Sequence, residues 1–201
     1  MHNLERKNIF ILGGEGFLGR NIAENLTKDY NCFSIDKQRN IFIEKGEDVF
    51  IQSDPYSRKI NREDDGVFIH LIDNKIPLKN IFTEEKKLID NINLKSGDYF
   101  IFLSSASVYS ESKSEYAKRK EKLENFYREY CKSNNIKLVI VRLFNVYGYY
   151  QVPNKQGSLV ANLIVNYLNN EETIINDIEV KRDFVYAGDV ARAIKDIIER
   201  A

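Results

Sequence analysis

The chain has little that would tie it to a disulfide framework, a nucleic acid or a membrane. Its 201 residues include only two cysteines, Cys32 and Cys131. They lie far apart and match no metal-ligand spacing, which argues against a zinc site or disulfide scaffold and for two buried reduced thiols. Charge of either sign is not in excess, with 30 basic and 30 acidic residues and a formal net charge of zero. No broad basic footprint is left for a phosphate backbone or an anionic lipid surface. No run of about 18 apolar residues occurs. The charged start, Met1 to Lys7, lacks the apolar stretch of a secretory signal. These absences predict a soluble, cytoplasmic protein without nucleic-acid or membrane partners. Internal repeats, low-complexity tracts and long linkers are missing too.

What is present is alternation. Short runs rich in Ile, Val and Phe alternate with longer charged stretches of helical period, the pattern of βαβ units around a parallel sheet. Strands are predicted over 8–12, 31–35, 48–51, 67–71, 99–103 and 138–142, and helices over 17–28, 78–91 and 112–133. Past Gly148 the pattern changes to a loop over 149–157 containing Pro153, Asn154 and Gly157. A helix over 158–169, a short strand near Thr173 and a final helix from Val190 follow. The change at Gly148 predicts a larger region over 1–148 with a smaller one over 149–201 packed on it.

The first strand runs into Gly13-Gly14-Glu15-Gly16-Phe17-Leu18-Gly19 and then into a helical pattern. Gly13 permits the tight turn, Gly16 lets backbone approach a pyrophosphate, and Gly19 allows close packing of helix on strand. The helix start offers unpaired N–H groups and a positive dipole end. The same spacing also describes a tight strand-to-helix turn without a ligand. Glu15 would repel a pyrophosphate unless it points to solvent. Asp36, at the end of the second strand, stands where an acid accepts hydrogen bonds from the adenosine ribose, or where a strand simply turns. A carboxylate there favours NAD over NADP, while nearby Lys37 and Arg39 leave NADP open.

The fifth strand ends in Leu103-Ser104-Ser105-Ala106-Ser107-Val108-Tyr109, and the next helix carries Tyr116 and Lys120. At i and i+4 these two share a helical face about 6 Å apart, so the ammonium can lower the phenol pKa. Ser105, above the same crevice, could hydrogen-bond the oxygen that exchanges a proton with Tyr116. Tyr-x-x-x-Lys alone equally describes a packed tyrosine beside a solvated lysine.

Five motifs occur in a fixed order: the G-x-x-G-F-x-G turn, the serine run ending in Val-Tyr, the Tyr116/Lys120 pair, Arg142-Leu143-Phe144-Asn145-Val146-Tyr147-Gly148, and Arg182-Asp183-Phe184-Val185-Tyr186-Ala187-Gly188-Asp189-Val190. In this order the chain resembles the extended short-chain dehydrogenases/reductases, and among them the NAD-dependent epimerase/dehydratase family that acts on nucleotide sugars. The resemblance implies a Rossmann-type doubly wound parallel α/β sheet with a truncated C-terminal substrate lobe. It also implies a catalytic triad of Ser105, Tyr116 and Lys120, and NAD held by Gly13, Gly16, Phe17, Leu18, Gly19, Asp36, Tyr116 and Lys120. Asp54 looks like the family's adenine-contacting acid, and His70-Leu71 like its His-Leu pair beside the cofactor. Asn145 and Arg182 would meet the substrate's sugar or diphosphate, although an Asn in a turn and an Arg in a surface ion pair fit those positions as well. Asp189 reads as the cap of the last helix. No metal is implied.

Several positions depart from the family pattern. Ala106 and Ser107 stand where dehydratases carry an Asp-Glu pair, which disfavours water elimination. Arg119 replaces a serine before the catalytic lysine, and Ile72-Asp73 replaces small residues after His-Leu. The stretch between Ser105 and Tyr116 is short, as in some 4-keto-sugar reductases of polysaccharide biosynthesis. The expected function is therefore hydride transfer at C4 of a nucleotide sugar, by an epimerase or a 4-keto-sugar reductase. A dinucleotide-binding regulatory protein, or a subunit needing a partner to complete its site, is the rival. Leu123, Phe126, Tyr127 and Tyr130 recur at helical spacing. They mark either core packing or the helix through which family members commonly dimerise, so a homodimer is expected.

Overall fold

The computed structural model describes residues 6–39, 48–62, 64–73, 76–153, 158–175 and 179–200. Six strands form one parallel sheet: β1 (Asn8–Leu12), β2 (Asn31–Asp36), β3 (Val49–Gln52), β4 (Gly66–His70), β5 (Tyr99–Ser105) and β6 (Lys137–Leu143). Their order is β3-β2-β1-β4-β5-β6, with β1 pairing Asn8 to Asn31 of β2 and to Gly66 of β4. The chain winds outward from β1 in one direction and then restarts at β4. The C-terminal ends of β1 and β4 therefore part in a crevice, the place where open α/β sheets bind ligands.

Both faces of the sheet are covered, which explains the continuous apolar runs. Ile9 and Ile11 of β1 face a core closed by α1 (Phe17–Leu26) and α5 (Ala187–Glu199), with Ile22, Leu26, Ile194 and Ile198 fully buried. Phe10 and Leu12 face the other core, closed by α2 (Ile81–Ile92) and α3 (Glu115–Ser133) through Leu88, Ile92, Leu123 and Tyr127. The expected stripe on α3 thus divides. Leu123 and Tyr127 are core, whereas Phe126 and Tyr130 lie partly buried at its rim.

The third helix begins later than 112 because Ser114 is its cap: the Ser114 Oγ accepts from the N–H of Ala117 at 3.2 Å. Past β6 two three-residue strands, β7 (Asn145–Tyr147) and β8 (Phe184–Tyr186), pair in parallel as a separate small sheet, with α4 (Leu159–Leu168) beside them. The expected strand near Thr173 is not formed. That segment is irregular and has no strand partner among the described residues, and Thr173 Oγ1 instead accepts from Asn166 at 3.0 Å. Pro153 lies in a loop as expected, while Asn154 and Gly157 fall outside the described residues. The last helix starts at Ala187 with Tyr186 at its cap position, so Asp189 is in the first turn, where its charge complements the helix dipole. Cys32 and Cys131 are free and buried, and burial pushes both thiols up to about 12.

Candidate active site

The glycine turn is built by close approach. Gly13 has φ +85°, and a Cβ on Gly19 would lie 2.4 Å from the Gly13 carbonyl oxygen. Gly14, which spacing did not single out, packs so tightly on β2 that a Cβ would meet Ser34 Oγ at 2.0 Å. Gly16 differs: it is exposed, and a Cβ there would meet only the Gly13 oxygen, at 3.3 Å, before projecting into open space. It caps α1 without a side-chain hydrogen bond. Phe17 and Leu18 open the helix, half-buried. A cradle that a Cβ would fill, at the start of a helix with no side-chain cap, fits a dinucleotide pyrophosphate.

Glu15 neither points to solvent nor faces that cradle. It is buried beneath the turn, accepts from Ser34 Oγ at 3.1 Å and lies 3.6 Å from Arg20, which is itself paired with Asp48 at 2.8 Å. The repulsion anticipated from the sequence is thus turned away from the ligand side. The Glu15 N–H points instead to Asp36, whose carboxylate also accepts from the Lys37 N–H at 2.8 Å. Burial raises the Asp36 pKa against these two hydrogen bonds. Lys37 reaches across to Asp54 at 3.2 Å, and both line a shallow pocket with Tyr56, Pro77 and Asn80 at the far side of the crevice.

His70 and Leu71 close β4. Leu71 donates its N–H to the Leu12 carbonyl and sits against Gly13 at the mouth. The His70 imidazole is turned into the core, where its Nε2 is 3.3 Å from Glu85 of α2. Tyr56 and Tyr127 donate to the same carboxylate. Burial pushes the Glu85 carboxyl up, but these three hydrogen bonds outweigh it and leave the pKa lowered. The network was not legible in the sequence, because Tyr56, His70, Glu85 and Tyr127 come from four separate segments.

On the other side of the crevice the end of β5 meets α3. Ser105 accepts from the Ser107 N–H at 3.1 Å and acts to lower the pKa of the Tyr116 phenol. Lys120 is buried and donates to the Leu103 carbonyl at 3.1 Å, with its Nζ 5.8 Å from the Tyr116 ring. The three expected catalytic side chains therefore come together. The phenol pKa is nevertheless raised rather than lowered: burial is the largest cause and the Asp73 carboxylate adds to it, against Ser105 and Arg119. The Lys120 ammonium donates to a backbone carbonyl, and burial lowers its own pKa.

The strand end and helix are locked together by a second cluster. Glu124, one turn beyond Lys120, takes a bidentate contact from Arg142 at 2.9 and 2.7 Å and accepts from Ser104 at 2.7 Å and Arg128 at 3.0 Å. Its position at i+4 from Lys120 was the available signal.

Tyr116 opens into a crevice of about 710 Å³ that also takes in Asp73, Asn145, Tyr147 and Arg182. Asn145 Nδ2 donates to the Asp183 carbonyl at 3.0 Å, joining the starts of β7 and β8, and exposed Arg182 precedes β8. Of the expected site residues, Tyr116, Asn145 and Arg182 line this crevice, Asp54 lines the separate pocket beside Lys37, and the His70 ring is turned inward. Among the described residues no cluster of potential metal ligands occurs, and no helix is long and apolar enough to cross a membrane.

Residues 78–201 match the model of the NAD dependent epimerase/dehydratase family. A protein of Methanocaldococcus jannaschii provisionally named UDP-glucose 4-epimerase is 29% identical, over 92% of this chain and 71% of its own length. A dTDP-D-glucose 4,6-dehydratase of Dictyostelium discoideum is 26% identical, over 96% of this chain and 56% of its own. Among solved structures, the UDP-glucuronic acid 4-epimerase of Bacillus cereus, in complex with UDP-glucuronic acid and NAD, is 25% identical. It superposes with a TM-score of 0.75, over 96% of this chain and 73% of that one.

Proposed function

The chain belongs to the NAD-dependent epimerase/dehydratase family, and from that premise we propose that it epimerises a nucleoside-diphosphate sugar at C4, with Tyr116 as acid/base. The observation that carries this reading is Tyr116 on the wall of a crevice that reaches Asn145 and Arg182, with the Nζ of buried Lys120 5.8 Å from its ring and Ser105 close enough to act on the phenol. NAD, when bound, supplies the hydride acceptor and donor for the sugar carbon. Gly13, Gly16 and Gly19, with the N-terminus of α1, would hold its pyrophosphate, and Asp36 its adenosine ribose.

The remaining chemistry belongs to this chain's own side chains. Tyr116 exchanges a proton with the sugar's C4 oxygen, and Ser105 hydrogen-bonds that oxygen and holds it in line. Lys120 supplies buried positive charge beneath the phenol. Arg182 is exposed at the cleft and can take a diphosphate by a bidentate, charge-assisted contact. The absence of a second acid and base at Ala106 and Ser107 speaks against water elimination, despite the similarity to a dehydratase. We further infer a homodimer formed through the outward rim of α2 and α3.

The test uses UDP-glucose and UDP-galactose as probes with NAD. Tyr116→Phe is expected to lower turnover by about 10² to 10⁴-fold while NAD binding, read by calorimetry, is retained. Turnover equal to wild type overturns the assignment of Tyr116. An epimerase leaves the reduced-cofactor absorbance without net change, whereas stoichiometric NADH consumption marks a 4-keto-sugar reductase, the reading that the short Ser105–Tyr116 stretch favours.

A further inference from the structure

Two departures from the family pattern, far apart in sequence, meet in space. Asp73 lies in the connection leaving β4, on the wall of the crevice, with its side chain about half exposed. Arg119 lies on α3 between Tyr116 and Lys120 and is buried. Its Nη2 is 3.5 Å from Asp73 Oδ1, and its guanidinium carbon is 5.7 Å from the centre of the Tyr116 ring. An acid and a base thus bridge the two sides of the crevice at the reacting phenol.

We propose that Asp73 and Arg119 are positioning residues that act as a pair on Tyr116: Asp73 holds the proton on the phenol, and Arg119 anchors Asp73 and offsets its charge. The proposal rests on the reading of Tyr116 as the acid/base. The groups around the phenol are Ser105 from the end of β5, Lys120 and Arg119 from α3 and Asp73 from the β4–α2 connection, and Arg182 lines the same crevice. Asp73 is the negative one among these. A nearby carboxylate disfavours a phenolate and favours an ammonium, so the same charge favours a neutral Tyr116 and, together with Glu85, opposes the effect of burial on Lys120. Asp73 acts in that sense on both groups, and Arg119 in the opposite sense on both. A serine at position 119 and a small residue at 73 would leave the phenol without either charge. In this chain the resting site is biased toward the proton-donating form.

Ionisation of Tyr116 can be read without substrate or turnover. The chain is labelled with [¹³Cζ]tyrosine, and the Tyr116 resonance is assigned by its loss in Tyr116→Phe. Asp73→Asn is expected to move the phenol midpoint down by about half a pH unit or more, because Arg119 is then unopposed. Asp73→Glu should restore it, and Asp73→Asn combined with Arg119→Gln should bring it back up toward wild type. The downward shift should shrink in 1 M salt, as expected for a half-exposed charge. A midpoint that stays at the wild-type value in Asp73→Asn, or that moves equally in Asp73→Glu, overturns the proposal. Because no turnover is measured, such a result is separate from failure of the epimerase reading, which the Tyr116→Phe assay decides alone.

Discussion

The nearest atoms to a methyl group added at Gly19 would all be backbone: the Gly13 oxygen at 2.4 Å, and Gly14 Cα and carbonyl oxygen at 2.6 Å. None of these atoms can swing aside as a side chain can. Gly19→Ala should therefore push α1 off β1, costing about 1 to 3 kcal/mol of stability, the range for overpacking. It should also weaken NAD binding at least tenfold, since the same shift displaces the helix start from the pyrophosphate. Thermal denaturation and calorimetry read the two effects, and wild-type NAD affinity in a folded Gly19→Ala variant would contradict the cradle. Spacing alone identified Gly13, Gly16 and Gly19, because the motif encodes a conformation local to seven residues. It did not reveal the role of Gly14 or the inward turn of Glu15. Both depend on Ser34, which β2 brings into place from outside the turn.

Helix α3 carries Tyr116 and Lys120, the residues proposed for proton transfer, and its attachment to β5 and β6 sets their position. Glu124 holds that joint, and its three hydrogen-bonding partners outweigh burial and hold its carboxyl down to about 2. The folded value is below the ordinary one near 4.5, so the stability it contributes is present above about pH 4.5. That contribution is lost as pH falls toward 2, and it amounts to on the order of 2 to 3 kcal/mol. Glu124→Gln should destabilise the protein at neutral pH and flatten the decline of its denaturant midpoint between about pH 5 and 2. An acid limb as steep as wild type would exclude this role. The six long strands and their helices were legible because parallel strands buried on both faces read as unbroken apolar runs. The three-residue β7 and β8 were not, since each is too short for a period and exists by pairing with the other. The same holds for the site. Tyr116 and Lys120 announce themselves by spacing on one helix, whereas the Asp73–Arg119 contact joins residues 46 apart and Tyr127–Glu85 residues 42 apart.

At the scale of the whole molecule, the two cores differ in how completely their helices are sealed. On the α1/α5 side the apolar face of α5 is mostly consumed, with Ile194 and Ile198 at zero exposure and Ile197 partly buried. On the α2/α3 side an aromatic row continues outward past the core: Phe126 stacks on Tyr130 at 6.2 Å and on Phe82 of α2 at 5.6 Å, and Phe82 is 49% exposed. Burying one such ring at an interface gains about 1.5 to 3 kcal/mol, and a twofold axis doubles the gain by using the same patch twice. The inferred homodimer places this row against its copy, which rigidifies the helix that bears Tyr116 and Lys120 from its outer side. Sedimentation at micromolar concentration should give twice the chain mass. Phe82→Lys, at a half-exposed position outside the core, should shift the protein to the monomer at least tenfold more readily while leaving its denaturation midpoint, measured on the isolated monomer, little changed. A wild-type chain that sediments as a monomer at these concentrations would leave the aromatic row without a partner copy and contradict the dimer.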